Sequence, residues 1–183
     1  MDLLKLVLDP RNSPALKQLA GNFGLSEDQT RQAVAGMIPA LSEGLRRNIS
    51  SRSGLEEVVR TLSTGRYQPY IDQPESLAGT DALADGNAIL GHLLGSKDTS
   101  RQLAEHVAAS TGLDNGLTKK MLPAVAALLM GTMSKQAVSA THGLSPGAGN
   151  RMGLFGLLGG MLDADKDGSV IDDLARLAGK FLR

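Results

Sequence analysis

The sequence contains no cysteine and no tryptophan, and aromatic residues make up only 3% of its 183 residues. A chain without cysteine cannot form disulfides, thiolate metal sites or a thiol nucleophile, and its redox compartment stays undecided. Basic and acidic residues number 19 each, which gives a formal net charge of zero. Neither charge nor aromatic stacking therefore favours nucleic acid as a partner.

The sequence also lacks targeting signals that we could identify. Its first ten residues carry neither a basic region nor an apolar core of adequate length, so we expect no signal peptide. No run approaches the roughly 20 apolar residues that span a bilayer, so we expect no transmembrane segment. These observations predict a cytoplasmic protein, with association with the cell envelope left open.

The apolar residues that are present favour helices. They make up 42% of the chain and are mainly leucine, alanine, valine and methionine. Such straight or small side chains lose little conformational freedom on a helix. The alternation of β-branched residues that is typical of strands is almost absent. The sequence therefore predicts an all-α protein, with one large domain or two small ones.

Two segments of the chain resemble each other. A shift of 88 positions aligns residues 24–31 with residues 112–119, and residues 32–48 then align with residues 120–136. Each copy has a Gly-Leu corner followed by Ser26 or Asp114. Glycine just past a helix favours a left-handed cap, and Ser or Asp before the next helix satisfies its free amides. We interpret the copies as two related helical hairpins produced by internal duplication, although two amphipathic hairpins could also align by chance.

Caps and helix breakers divide the chain into five parts. Both tyrosines fall in a predicted loop, and the first helix of the second repeat is predicted to begin at Asp85. Pro39 and Pro123 fall in or near the long helices, where we expect kinks. The parts are a first helical repeat at 1–63, a linker loop at 64–82, a second helical repeat at 83–138, a glycine-rich linker at 139–149 and a C-terminal helical segment at 150–183.

The stretch from Asp85 to Asp98, which reads Asp-Gly-Asn-Ala-Ile-Leu-Gly-His at its start, is the most distinctive part of the second repeat. Together with residues 111–113 and 119–123, it resembles a bacterial family known as domain of unknown function 937, related to YidB. The stretch Asp172-Asp173-Leu174 and the last four residues also fit that family. The family has no established activity, so the resemblance supports the fold class and implies no site.

Near the C-terminus, Asp163, Asp165 and Asp167 alternate along the chain and are followed by Gly168. This pattern is typical of the first half of a calcium loop, in which alternate side chains turn toward one centre and the glycine permits a sharp bend. An EF-hand would have Glu at the twelfth position, where this chain has Leu. The predicted Ca²⁺ ligands are Asp163, Asp165, Asp167, Ser169 and Asp173.

Helix capping is the alternative interpretation of this loop. Ser169 and Asp172 fit a capping box, and aspartates near a helix N-terminus are favoured by the helix dipole. Capping requires only one or two carboxylates, whereas five lie within eleven residues here. Without a bound cation, five carboxylates packed together would repel one another. We therefore predict that the loop binds Ca²⁺, with weak affinity and a structural role.

The histidines offer at most the beginnings of a metal or catalytic site. His92 and His106 lie on successive predicted helices, and His142 lies in the glycine-rich linker. A hairpin could bring the first two to Asp85 or Glu105, as a metal-dependent enzyme would need. However, zinc needs at least three ligands, and the chain lacks the HxxxH spacing. We therefore predict no catalytic or cofactor-binding residues and interpret His92 as a packed side chain.

Residues 152–162 form an apolar, glycine-rich segment. Such a segment could fill a groove on the helical body or on another subunit, or it could contact a membrane. The Lys and Arg residues that favour a membrane surface are missing apart from Arg151. We predict a soluble, non-enzymatic interaction or assembly module that binds a protein partner or itself. A metal-dependent enzyme using His92 and a peripheral envelope protein are the alternatives.

Overall fold

The computed structural model describes residues 3–141, apart from the side chains of Arg52, Ala140 and Thr141. Every regular element in residues 3–141 is helical. The all-α prediction is therefore confirmed for this part of the chain. The predicted calcium loop and the C-terminal segment at 150–183 lie outside the described residues.

Eight α-helices and two short 3-10 turns follow one another in the described part of the chain. The 3-10 turns are Pro10–Asn12 and Pro74–Ala78. The α-helices are α1 Leu3–Val7, α2 Ser13–Phe23, α3 Glu27–Ile49, α4 Arg52–Ser63, α5 Pro69–Asp72, α6 Thr80–Leu94, α7 Lys97–Thr111 and α8 Asn115–Thr141.

Helix α8 forms the centre of the core. All residues from Met121 to Ser134 are buried, because α6, α7, α4, α5 and α3 pack around them. A helix that is apolar on every side is typical of such a position. By length and composition, Asn115–Ser139 could cross a membrane, which the sequence analysis did not anticipate, but 83% of its most apolar window is buried inside the protein.

The two Gly-Leu corners end their helices in the same way. Gly24 after α2 and Gly112 after α7 adopt left-handed conformations with φ of 65° and 72°. Ser26 caps α3, and Oδ1 of Asp114 accepts a 2.9 Å hydrogen bond from a backbone N–H in the first turn of α8. The predicted caps are confirmed at both corners, and α2 packs against α3 as α7 packs against α8.

The segment at 64–82, predicted as a loop, is largely helical. It contains α5, a 3-10 turn and the beginning of α6, which starts at Thr80 and not at Asp85. Pro69 and Pro74 stand at the starts of the two short helices. The missing N–H of proline costs nothing there, since the first turn has no intrahelical partner for it. The segment is also part of the core, with buried side chains at Tyr67, Tyr70, Ile71 and Leu77.

Glycines allow α6 to lie close to two neighbouring helices. A Cβ atom added to Gly86 would overlap the carbonyl group of Pro123 in α8. A Cβ atom added to Gly44 in α3 would likewise overlap the carbonyl group of Leu93 in α6. Any larger residue at these positions would push the helices apart, so the glycines determine how α6 is held against the core.

Candidate functional site

The carboxylate of Asp85 joins α6 to the segment around α5. Its Oδ1 accepts a 2.7 Å hydrogen bond from Nη2 of Arg66, and its Oδ2 accepts a 2.8 Å hydrogen bond from the hydroxyl of Tyr70. The Asp85 side chain is only 16% exposed. Sequence analysis offered Asp85 as a ligand for a metal-dependent enzyme, but here each of its oxygens holds a structural partner.

The two tyrosines of the chain stack beside this carboxylate. The rings of Tyr67 and Tyr70 have centroids 6.2 Å apart and an interplanar angle of 22°, and the guanidinium of Arg66 lies 5.6 Å from the Tyr67 centroid. Burial, together with the hydrogen bond to Asp85, raises the pKa of Tyr70 well above its usual value. Burial also raises the pKa of Tyr67. Both phenols therefore stay protonated near neutral pH, and Tyr70 acts as a hydrogen-bond donor.

A second ion pair fastens α5 to α8. Nζ of Lys135 donates a 2.7 Å hydrogen bond to Oδ1 of Asp72, while Nε2 of Gln68 donates to Oδ2 at 2.8 Å. The hydrogen bond from Lys135 lowers the pKa of Asp72. Together with Asp85, this pair holds the segment at 64–78 against the helical body at two points.

Tyr67 also lines a small cleft between α3, α4, α6 and α8. Its volume is about 100 Å³, enough for one side chain rather than a cofactor. The Nδ2 atom of Asn48 spans one edge by donating a 3.3 Å hydrogen bond to the carbonyl oxygen of His92. The lining residues are Leu45, Asn48, Glu57, Val58, Thr61, Tyr67, Ala88, Ile89, His92, Leu93 and Met130.

His92 is exposed at this cleft, so the prediction that it is a packed side chain is wrong. It shares the lining with Glu57, whereas Asp85, Glu105 and His106 do not line the cleft. Within residues 3–141, no group of three or more His, Cys, Asp or Glu side chains is placed to hold a metal ion. The arrangement that a metal-dependent enzyme would need is therefore not formed around His92 in the described structure.

The exposed surface of α6 differs from that of the next helix. Beyond Asp81, the exposed side chains of α6 carry no acidic or Lys/Arg group, whereas α7 exposes several charged residues, including Lys97 and Arg101. Leu83 is 41% exposed and is the only exposed large hydrophobic residue in the described part of the chain. We call this surface the α6 face, and it consists of Leu83, Ala84, Asn87, Ala88, Gly91 and His92.

The α6 face and the cleft form one continuous surface, because Ala88 and His92 belong to both. Small side chains at Ala84, Ala88 and Gly91 recur every three or four residues, so they lie on one side of the helix. Gly91 has no neighbouring atom within 4 Å of an added Cβ, which leaves the surface open at that point. The arrangement suits contact with another helix and provides no group for chemistry.

The predicted ion site belongs to the C-terminal part of the sequence. Its ligands Asp163, Asp165, Asp167, Ser169 and Asp173 lie outside the described residues, as do His142 and residues 152–162.

The family model for a bacterial protein of unknown function, domain of unknown function 937, matches residues 5–136. The chain belongs to this family. The resemblance found from the sequence is thereby confirmed. No curated protein and no solved structure matches the chain.

The matched region of the DUF937 family includes most of α8, the Asp85 contacts, the cleft and the α6 face. It does not reach residues 152–162 or the Asp-rich loop. The run from Asp85 to His92 was identified from the sequence as distinctive, but the structural contacts of Asp85 were not predicted. The partners of Asp85 are Arg66 and Tyr70, which lie in the segment that was interpreted as a loop. The only signal in the sequence was that Arg66 stands close to both tyrosines along the chain.

Proposed function

We propose that this DUF937 protein is a non-enzymatic interaction or assembly module that binds a protein partner through the α6 face and the adjoining cleft. The observation that supports this proposal most is an uncharged, partly apolar helix face that continues into a cleft for one side chain. The centres of protein interfaces are depleted of charged residues. A pocket that takes one anchoring side chain commonly contributes much of the binding energy.

The partner surface that fits best is an amphipathic helix. Small residues on the α6 face would let a second helix approach closely, and one large side chain of the partner would enter the cleft beside His92. The contacts of Asp85 and Asp72 support this use, since they hold the neighbouring segment in place and leave a preformed surface.

Photo-crosslinking in the bacterium of origin tests the proposal. A photoreactive amino acid is placed at Asn87 on the α6 face and, as a matched control, at Gln102 on α7, since both positions are exposed. We expect one defined adduct from Asn87, identified by mass spectrometry as the same protein in repeated experiments, and none from Gln102. Equal adducts from both positions, or none from either, would contradict the proposed surface.

We further propose that the chain contains an internal duplication and a structural calcium loop. The matching caps at Gly24 and Gly112 support the duplication. The crowding of five carboxylates in the Asp-rich loop supports Ca²⁺ as the bound ion. In this proposal the ion stabilises the C-terminal segment and plays no part in catalysis.

The alternatives from the sequence have less support. A metal-dependent enzyme would need carboxylates beside His92, and the described cleft provides Glu57 alone. A peripheral envelope protein would depend on residues 152–162, because α8 is occupied as the core helix. We propose the cytoplasm as the location, and self-association as the alternative to a different protein partner.

A further inference from the structure

We propose that the α6 face is covered by residues 152–162 of the same chain. This inference rests on the proposed function, because it uses the same binding surface and names the segment that occupies it before a partner binds. It commits to an intramolecular contact, in which the apolar segment lies along α6 and places a large side chain in the cleft.

The position at which the described chain ends favours this contact. Near the end of α8, Cγ2 of Val138 lies 3.7 Å from the position that a Cβ atom on Gly65 would occupy. The next residue, Arg66, contacts Asp85 on α6, and Tyr67 lines the cleft. The chain therefore leaves the end of α8 close to the surface that it is proposed to cover.

The connecting chain is long enough. Residues 142–151 can span up to about 33 Å when extended. Helix α6 has 15 residues and is therefore about 22 Å long. The connecting chain is therefore longer than α6 itself.

The chemistry of the two surfaces also matches. Residues 152–162 contain no charged side chain, and glycines recur at 153, 156, 159 and 160. If the segment packs along the small residues of α6, neither the segment nor the α6 face has a charged group that would be desolvated. Its large apolar side chains, which burial against α6 would remove from water, are Met152, Leu154, Phe155, Leu157, Leu158, Met161 and Leu162.

Such a contact would regulate the module. A tethered segment acts at an effective concentration in the millimolar range, so a protein partner must displace it before binding.

Engineered disulfides test the contact directly, because the chain has no cysteine of its own. Ala88→Cys is combined in turn with cysteine at Leu154, Phe155, Leu157 or Leu158, and Arg101→Cys on α7 serves as control with the same four positions. Disulfides require Cβ atoms about 3.5–4.5 Å apart, so the rate of oxidation in dilute full-length protein reports proximity. We expect at least one Ala88 pair to close within one chain at least tenfold faster than every Arg101 pair.

Similar rates for both sets would overturn the proposal. Disulfides that form only between chains would overturn it too, because a second copy would then supply the segment. Phe155→Asp/Leu158→Asp in the full-length chain provides a second readout, in which the yield of the Asn87 photo-adduct should rise at least threefold. If intrachain disulfides form but no adduct appears in either background, the segment contact stands and the proposed partner function fails.

Discussion

The hydroxyl of Tyr70 donates a 2.8 Å hydrogen bond to Oδ2 of Asp85, and this contact joins the segment of α5 to α6. Asp85→Ala would leave Tyr70 and Arg66 without their acceptor. We expect the free energy of unfolding to fall by about 1–3 kcal/mol, as for other partly buried hydrogen-bonded groups. Urea unfolding measures the effect. Asn87→Ala, an exposed change on the same helix, should stay within about 0.5 kcal/mol of wild type, and an equal effect of both would contradict this role for Asp85.

The same contact predicts a loss of stability at high pH. Burial and the hydrogen bond to Asp85 raise the pKa of Tyr70 above its ordinary value of 10.0. Above pH 10 the unfolded chain releases this proton while the folded chain keeps it, so stability decreases as pH rises. Below the unfolded pKa the contribution is fully present. Unfolding of wild type and Tyr70→Phe from pH 8.5 to pH 11 should give a smaller decrease for the variant, and parallel curves would contradict the assignment.

Two glycines of α6 should respond oppositely to alanine. A Cβ atom at Gly86 overlaps the carbonyl group of Pro123, whereas a Cβ atom at Gly91 meets nothing within 4 Å. We expect Gly86→Ala to destabilise the protein by about 1–3 kcal/mol. Gly91→Ala should stabilise it by about 0.5–1 kcal/mol, since alanine favours a helix interior. Melting temperatures of the two variants that shift in the same direction would show that α6 does not pack against α8 as described.

Calcium should stabilise the full-length chain through the Asp-rich loop. A ligand that binds only the folded state at ten times its Kd adds about 1.4 kcal/mol, which corresponds to a melting temperature about 3–6 °C higher. The measurement is thermal unfolding in EDTA and then in millimolar Ca²⁺, with Mg²⁺ as a control. Asp163→Ala/Asp167→Ala should abolish the rise. A rise that persists in this variant, or no rise in wild type, would leave the loop as a helix cap.

Local signals allowed much of the fold to be predicted from the sequence. Gly24 and Gly112 were identified as helix ends because glycine tolerates the left-handed conformation that a cap requires. Ser26 and Asp114 were identified as the following caps for a similarly local reason. Each of these features depends on a few neighbouring residues, so a single sequence is sufficient to find it.

The segment at 64–82 could not be predicted in this way. Its short helices are held by distant partners, such as Asp72 with Lys135, which is 63 positions away. The α6 face was also missed, because the Asp85–His92 run reads as an apolar helix and its sequence does not tell which side the core covers. Gly86 is buried and Gly91 is exposed, although both stand in the same helical pattern.

The central claim is that the α6 face is the binding surface of this DUF937 protein, and one matched pair of variants tests it most directly. The yield of the photo-adduct from Asn87 is measured in the bacterium with Ala88→Glu on the α6 face and with Gln102→Glu on α7. Both changes add one charge at an exposed position, and thermal unfolding confirms that both variants are folded. The account predicts at least a tenfold lower yield with Ala88→Glu and less than a twofold change with Gln102→Glu. An unchanged yield in folded Ala88→Glu would contradict it.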